Sequence, residues 1–279
     1  MSQQTAQPVI TGPRRDTFAA TLTHDRGRVE TGRMPLAHRL EAIVVDVTTR
    51  SPLQRAIGTR ARRWLLAGTL LAGLLVAVTL VAAAAPADRT FAALSDTVQS
   101  LMSVVTPLFG ILLVRDLRRA GDVARVAPTV LAVCLPAVVI GVVGVLICAA
   151  TLALTPADIA DDPWRHAGTI AVGSVLVQIG AGLVGTGLGL LLRSAVVAFL
   201  ATIVLPMGLF AVLSVDALRP AQAWLTPFGS VGNLLSGDMS VLRWVQWLCV
   251  LLIWGVGLNA VGAAVLKRHE RASESTSAR

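Results

Sequence analysis

The residues best equipped for chemistry in this chain lie between positions 115 and 125, in the run RDLRRAGDVAR. Arg115, Arg118, Arg119 and Arg125 stand there with Asp116 and Asp122, which suits ion pairing with a partner or with lipid headgroups and supplies no nucleophile. Elsewhere the inventory is thin. His24, His38, His166 and His269 are scattered, there is no HExxH or GxSxG pattern, and no paired carboxylates face one another. Cys134, Cys148 and Cys249 fall inside apolar runs without metal-ligand or CxxC spacing, and read as small core residues. No catalytic constellation is expected, and no metal site.

The elements that must hold these residues are set by hydropathy. The 279 residues are 54% hydrophobic and only 14% charged, with mean hydropathy +0.72, where a soluble domain is about a quarter charged. This is the composition of an integral membrane protein. A backbone crossing lipid must satisfy its own N–H and C=O groups, so the apolar runs are expected to be helices. Six are expected, at 64–85, 98–114, 126–154, 168–192, 195–214 and 241–266. The first, about 22 residues at 1.5 Å each, reaches roughly 33 Å, enough for a hydrocarbon core of about 30 Å. Its AAAAP end resembles a signal-peptidase site, but the long polar stretch before it argues for a retained span. Pro128 and Pro136 should kink the third span.

Around these spans the chain divides into a disordered cytoplasmic tail at 1–34, an amphipathic interfacial helix at 35–63, the six-helix domain at 64–271 and a second cytoplasmic tail at 272–279. The interfacial helix follows from Leu36, Leu40, Ile43, Val44 and Val47, which repeat at helical spacing opposite His38, Arg39, Glu41 and Asp46. Ser51-Pro52-Leu53-Gln54 then marks a fresh helix start, and Arg60, Arg62 and Arg63 are expected to snorkel to headgroups below Trp64. Between 215 and 240, Pro220, Pro227, Gly229, Gly232 and Gly237 cut the chain into pieces too short to cross, which suggests re-entrant or interfacial half-helices on the outer side. In the fourth span, Gly185 and Gly189 satisfy the small-xxx-small spacing that lets a second helix approach closely, and Arg193-Ser194 is the polar tip of a tight hairpin.

Charge sets the orientation. Twenty of the 24 Lys and Arg residues fall on the side of residues 115–125 and four on the other, against nine and seven of the 16 acids, which accounts for the net +8. The positive-inside rule places the arginine-rich side, with both termini, in the cytoplasm of a multi-pass cell-membrane protein, and explains the pI near 11.2 without nucleic acid. No Asp, Glu, Lys or His lies in the middle of any span, so an ion-coupled carrier has no group to bind its ion. Gln178 and Asn259 are polar groups well inside spans, either lining a pathway or bonding between helices.

Three local patterns carry a family resemblance. They are Asp116 with Arg118-Arg119-Ala-Gly121 at the end of the second span, Gly187-Leu-Gly189-Leu-Leu-Leu-Arg193-Ser194 at the fourth-to-fifth hairpin, and Leu225-Thr-Pro227-Phe228-Gly229 in the outer half-helices. In this order, over about residues 36 to 271, the chain resembles the permease subunit of a type-2 ATP-binding-cassette exporter. It departs from the family in having Asp rather than Glu at 116, Asp122 where Thr is common, and a long polar N-terminal extension.

That resemblance implies an all-α membrane protein that exports an amphipathic or hydrophobic substrate, with ATP and Mg bound and hydrolysed by a separate ATP-binding-cassette ATPase subunit and no cofactor of its own. It implies a second permease subunit, identical or not, and coupling to the ATPase through Asp116, Arg118, Arg119 and Gly121. The alternative is a non-transporting scaffold or sensor that uses its basic N-terminal region to hold a cytoplasmic partner at the lipid bilayer.

Overall fold

The computed structural model describes residues 58–120, 126–155 and 160–277, all within the compact unit that begins at Val44. Every regular element among them is helical. Helix α1 is Arg60–Ala83, α2 is Phe91–Ala120, α3 is Val126–Ala153, α4 is Ala167–Leu191 and α5 is Ala195–Val212. Two short helices follow, α6 (Arg219–Leu225) and α7 (Pro227–Ser236), and then α8 (Val241–Val250), a π-helical stretch (Leu251–Gly257) and α9 (Leu258–Ser277) run on without a break. Helices α1 to α5 and the continuous segment Val241–Arg268 are each long and apolar enough to cross a membrane, six in all. The protein is a multi-span, all-helical membrane protein.

The helix ends follow local rules. The side chain of Thr59 caps α1 through the Arg62 amide, Ser194 caps α5 through Val197, and Ser240 caps α8 through Arg243. Pro220 and Pro227 occupy the first turns of α6 and α7, where a missing N–H costs nothing, and Gly237 closes α7 with φ +78°.

Three boundaries differ from the sequence reading. Helix α2 starts seven residues before Val98 and continues through Ala120, because Ala, Leu and Arg on either side of the apolar run favour helix and the first strong breaker is Gly121. Asp116, Arg118 and Arg119 therefore stand on the last turns of a helix and not in a loop. Pro128 falls in the first turn of α3, so Pro136 is the only proline in the body of that helix. The final helix runs on to Ser277 through the segment read as a polar tail. The expected tail at 1–34 and the interfacial helix from 35 lie outside the described residues, except that 60–63 form the first turn of α1.

Helix α4 is the axis of the bundle, packed against α2, α3, α5, α7 and α9. Its small residues make this possible. A Cβ on Gly185 would sit 2.2 Å from the Pro107 carbonyl oxygen of α2, and one on Gly187 would meet Leu258 of α9 at 2.8 Å. From the facing side, a Cβ on Gly110 would lie 2.6 Å from the Thr186 amide nitrogen. A second core, with Phe91, Met102, Phe109 and Ile140 fully or almost fully buried, joins α2 and α3 to α1. Helix α5, by contrast, buries only Ala198 and Pro206 and exposes Val196, Leu200, Val204 and Met207.

Candidate functional site

The helix ends gather charge at one end of the bundle. Val114 and Leu117 of α2 pack there with Leu190 of α4, Val126 of α3 and Leu266 of α9. Arg62, on the first turn of α1, points inward rather than out to headgroups and is 5% exposed. Its Nη2 donates to the Leu112 carbonyl at 3.1 Å and to Asp116 Oδ2. Snorkelling gives way here because the Asp116 carboxylate and the Leu112 carbonyl lie within reach, and a paired guanidinium tolerates burial. Arg118 reaches the other way, donating through Nη2 to the Leu190 carbonyl in the last turn of α4, where the helix dipole favours a cation. Its Nε is buried without a partner. The exposed Arg193, just past that helix end, lies close enough for its charge to act on Arg118.

Thus Asp116 and Arg118, two residues apart, tie α2 to α1 and to α4. Arg115 and Arg119 remain on the exposed face. Gly121 and the segment 121–125 lie outside the described residues. Of the hairpin residues, Gly185 sits against Pro107, and a Cβ on Gly189 would come 3.2 Å from the Ile111 Cα, so both serve the α2–α4 contact.

Gln178 is fully buried in a polar network that crosses three helices. Its Nε2 donates to the Gln99 carbonyl at 3.0 Å and to Gln99 Oε1 at 2.9 Å, and its Oε1 accepts from Thr106 Oγ1 at 2.6 Å. Gln99 in turn donates to the Gly141 carbonyl of α3 at 3.1 Å. Asn259 donates to the carbonyls of Leu183 at 2.8 Å and Gly255 at 2.6 Å. Both side chains are engaged between helices, and neither lines the cavity that the bundle encloses.

That cavity, of about 380 Å³, is within the size range of small-molecule sites. It is bounded by α2, α4, α5, α7, α8 and the π-helical stretch, and each of α2, α5 and α7 contributes a proline: Pro107, Pro206 and Pro227. No titratable side chain lines it. The hydroxyls of Ser103 and Thr202 are turned back onto the carbonyls of Ser100 and Phe199, each at 2.7 Å, so the wall is largely apolar, with the Ser100 side chain its remaining hydroxyl. Pro227 belongs to this wall, whereas Pro220 opens α6 away from it and Gly229 packs near Thr226. Around it, Phe228 meets Phe210 of α5 edge-on at 6.1 Å, and the Trp254 indole donates to the Leu225 carbonyl at 2.8 Å.

Sequence reasoning missed Trp247 and Trp254, which both face the cavity. The usable signal was their spacing of seven residues, two turns of one helix face, in a span whose other tryptophan, Trp244, stands near its start.

The opposite end of the bundle has a different chemistry. Phe91 stacks on Trp164 with ring centroids 5.6 Å apart, its amide donates to the Pro163 carbonyl at 2.8 Å, and His166 lies 3.5 Å from Asp238. Asp88, Asp96, Asp161 and Asp162 belong to the same loops and helix ends.

No protein-family model matches the chain, and neither the curated proteins nor the solved structures contain a match to it.

Proposed function

We propose that this chain is the membrane-spanning subunit of a type-2 ATP-binding-cassette exporter, which moves a hydrophobic or amphipathic substrate with energy from ATP hydrolysed by a separate cytoplasmic subunit. The observation that carries the reading is the arrangement at the arginine-rich end. Arg62–Asp116 and Arg118–Leu190 link α1, α2 and α4, so a force applied to the end of α2 is delivered to three helices as one body. Two further observations support it. Mid-span positions of the described helices hold no Asp, Glu, Lys, Arg or His, so the bundle has no group of its own for proton or ion coupling. An apolar cavity lies between the central helix and the helices α5 and α7.

In this reading the arginine-rich end is cytoplasmic, in line with the positive-inside rule. Helices α6 and α7 are outer half-helices that do not cross, a second permease subunit completes the transporter, and Arg115 and Arg119 meet acids of the ATPase. Asp116 and Arg118 act inside the subunit. The test is reconstitution with the ATPase subunit that copurifies with the chain. Its ATP hydrolysis is expected to rise when the chain is present, and Arg119→Glu is expected to remove most of that rise without changing expression. Stimulation untouched by R119E and by the Asp116, Arg118 and Arg119 triple variant would exclude the coupling role. A purified chain with no associated ATPase, whose partner binding is lost on deletion of residues 1–62, would favour the scaffold reading.

A further inference from the structure

Of the hydroxyls in the cavity wall, Ser100 alone is both open and unengaged. Ser103 and Thr202 give their hydrogens to carbonyls of their own helices, and the Trp254 indole gives its hydrogen to the Leu225 carbonyl. The Trp247 nitrogen is sealed inside the protein, so that residue offers the space only its ring. Ser100 lies three residues before Ser103 on α2, is partly buried and lines the same wall. Among the described residues its Oγ has no hydrogen-bond partner, and unlike the Trp247 nitrogen it keeps accessible surface.

Donors and acceptors are unequal at this end of the cavity. Ser100 brings one O–H hydrogen together with oxygen lone pairs, whereas Ser103, its neighbour on the helix face, has only lone pairs left. A guest group that both accepts and donates satisfies this pair, and a hydroxyl is the smallest uncharged group that does so. The rest of the wall is apolar over the roughly 10 Å that α2 rises from Ser100 to Pro107. Val104, Met207 and Phe228 line the space and are themselves exposed, so it opens sideways through the apolar surface of the bundle, a route suited to a lipophile. With no titratable side chain in the wall, an ionised head would be buried there without counter-charge. Asp96, about one turn before Ser100, is exposed and lies beyond the lining.

We infer that this cavity binds an uncharged lipophilic alcohol, a hydrocarbon body with a single hydroxyl held by Ser100 Oγ, and with Ser103 Oγ as a further acceptor. Ser100 is then the residue that selects an alcohol over a hydrocarbon of the same size. This deepens the reading given above and rests on it for the statement that the occupant is cargo. Binding itself needs no ATPase.

The experiment uses the full chain alone in lipid nanodiscs, so that a failure here leaves the ATPase-coupling result standing, and the reverse. Photoreactive diazirine probes of equal chain length are compared as the alcohol, the amine, the carboxylate and the plain alkane. Labelling is normalised to the probe held in the nanodisc lipid, and crosslinked peptides are located by mass spectrometry. The alcohol is expected to label 100–107 or 177–184 about fivefold more than the alkane, the worth of one hydrogen bond, and to exceed both ionised probes by at least as much. Ser100→Ala is expected to lower alcohol labelling to the level of the alkane and leave alkane labelling unchanged. Ala181→Phe, filling the wall, is expected to reduce labelling by every probe, with thermal unfolding of both variants confirming the fold.

Two competitors separate the sources of such a molecule. Displacement by diacylglycerol, which carries a free hydroxyl, identifies a bilayer lipid, and displacement by a fatty alcohol but not diacylglycerol identifies a single-chain guest. Equal labelling by alcohol and alkane, an alcohol preference that survives S100A, or displacement by neither competitor would overturn the inference. So would amine labelling that exceeds the alcohol's and falls in Asp96→Asn, which would assign the space to a cation.

Discussion

The arginine-rich end and the cavity solve opposite problems with the same helices. At the end of α2 two charges join elements: Arg62 is buried on Asp116, and Arg118 is spent on the last turn of α4. A few turns further along α2, the wall of the cavity turns the Ser103 and Thr202 hydroxyls back onto their own helices and leaves the space between α2, α4 and α5 largely apolar. Charged contacts between helices are concentrated at the arginine-rich end, and open space between helices lies further along. The peripheral α5 fits this division, since one of its faces closes the cavity while most of its side chains are exposed.

Substitutions can break or sharpen this contrast. The largest effect is expected at the scaffold both regions share. Gly185→Leu drives a side chain into the Pro107 backbone, and a loss of about 3 kcal/mol or more, read as a failure to purify folded monomer, follows from overpacking that cannot relax. Near-normal thermal unfolding of that variant would show that α2 and α4 are free to separate.

Next comes the ion pair. Asp116→Leu removes the carboxylate that balances the buried Arg62 charge, whereas the double variant Arg62→Met with Asp116→Leu removes both charges. A single-variant cost of about 2 kcal/mol, below the fully buried figure because Asp116 is 48% exposed, should be largely recovered in the double variant. Additive losses in thermal melts would mean that the pair does not hold α1 to α2.

Gln178→Leu should cost about 1–2 kcal/mol, because it leaves the buried Gln99 Oε1 without its donor, while Thr106 keeps the Met102 carbonyl and Gln99 Nε2 keeps that of Gly141. The smallest effect makes the sharpest comparison between two indoles. Trp254→Phe should cost about 1 kcal/mol through the lost bond to Leu225, while Trp247→Phe should leave stability unchanged or slightly raised without ligand. Equal losses at 247 and 254 would show that both N–H groups are paired.

The six spans were legible because lipid demands long apolar helices, and hydropathy needs no knowledge of neighbours. Pro220 and Pro227 were read as breaks in the chain, and each opens a short helix, since a proline fits a first turn. What the sequence hid is pairwise. Arg62 and Arg63 look alike in the chain, and only the placement of α1 beside Asp116 decides that one turns inward and becomes 5% exposed. For Gln178 and Asn259 the sequence favoured a helix contact over a pathway, but which groups they meet waited on the positions of Gln99, Thr106 and Leu183. The cavity was invisible for the same reason, being a property of six elements taken together.

The π-helical stretch from Leu251 to Gly257 has a consequence for the last span. Each wider turn accommodates more residues than the regular 3.6, so side chains after it are dialled round relative to those before it. Twelve regular residues would set Trp247 and Asn259 about a third of a turn apart, whereas the wider turns bring both onto α4, the first against Gly180 and the second on the Leu183 carbonyl. One uninterrupted rod keeps two appointments on a single compass bearing, and excising a residue from 251–257 would force it to miss one of them.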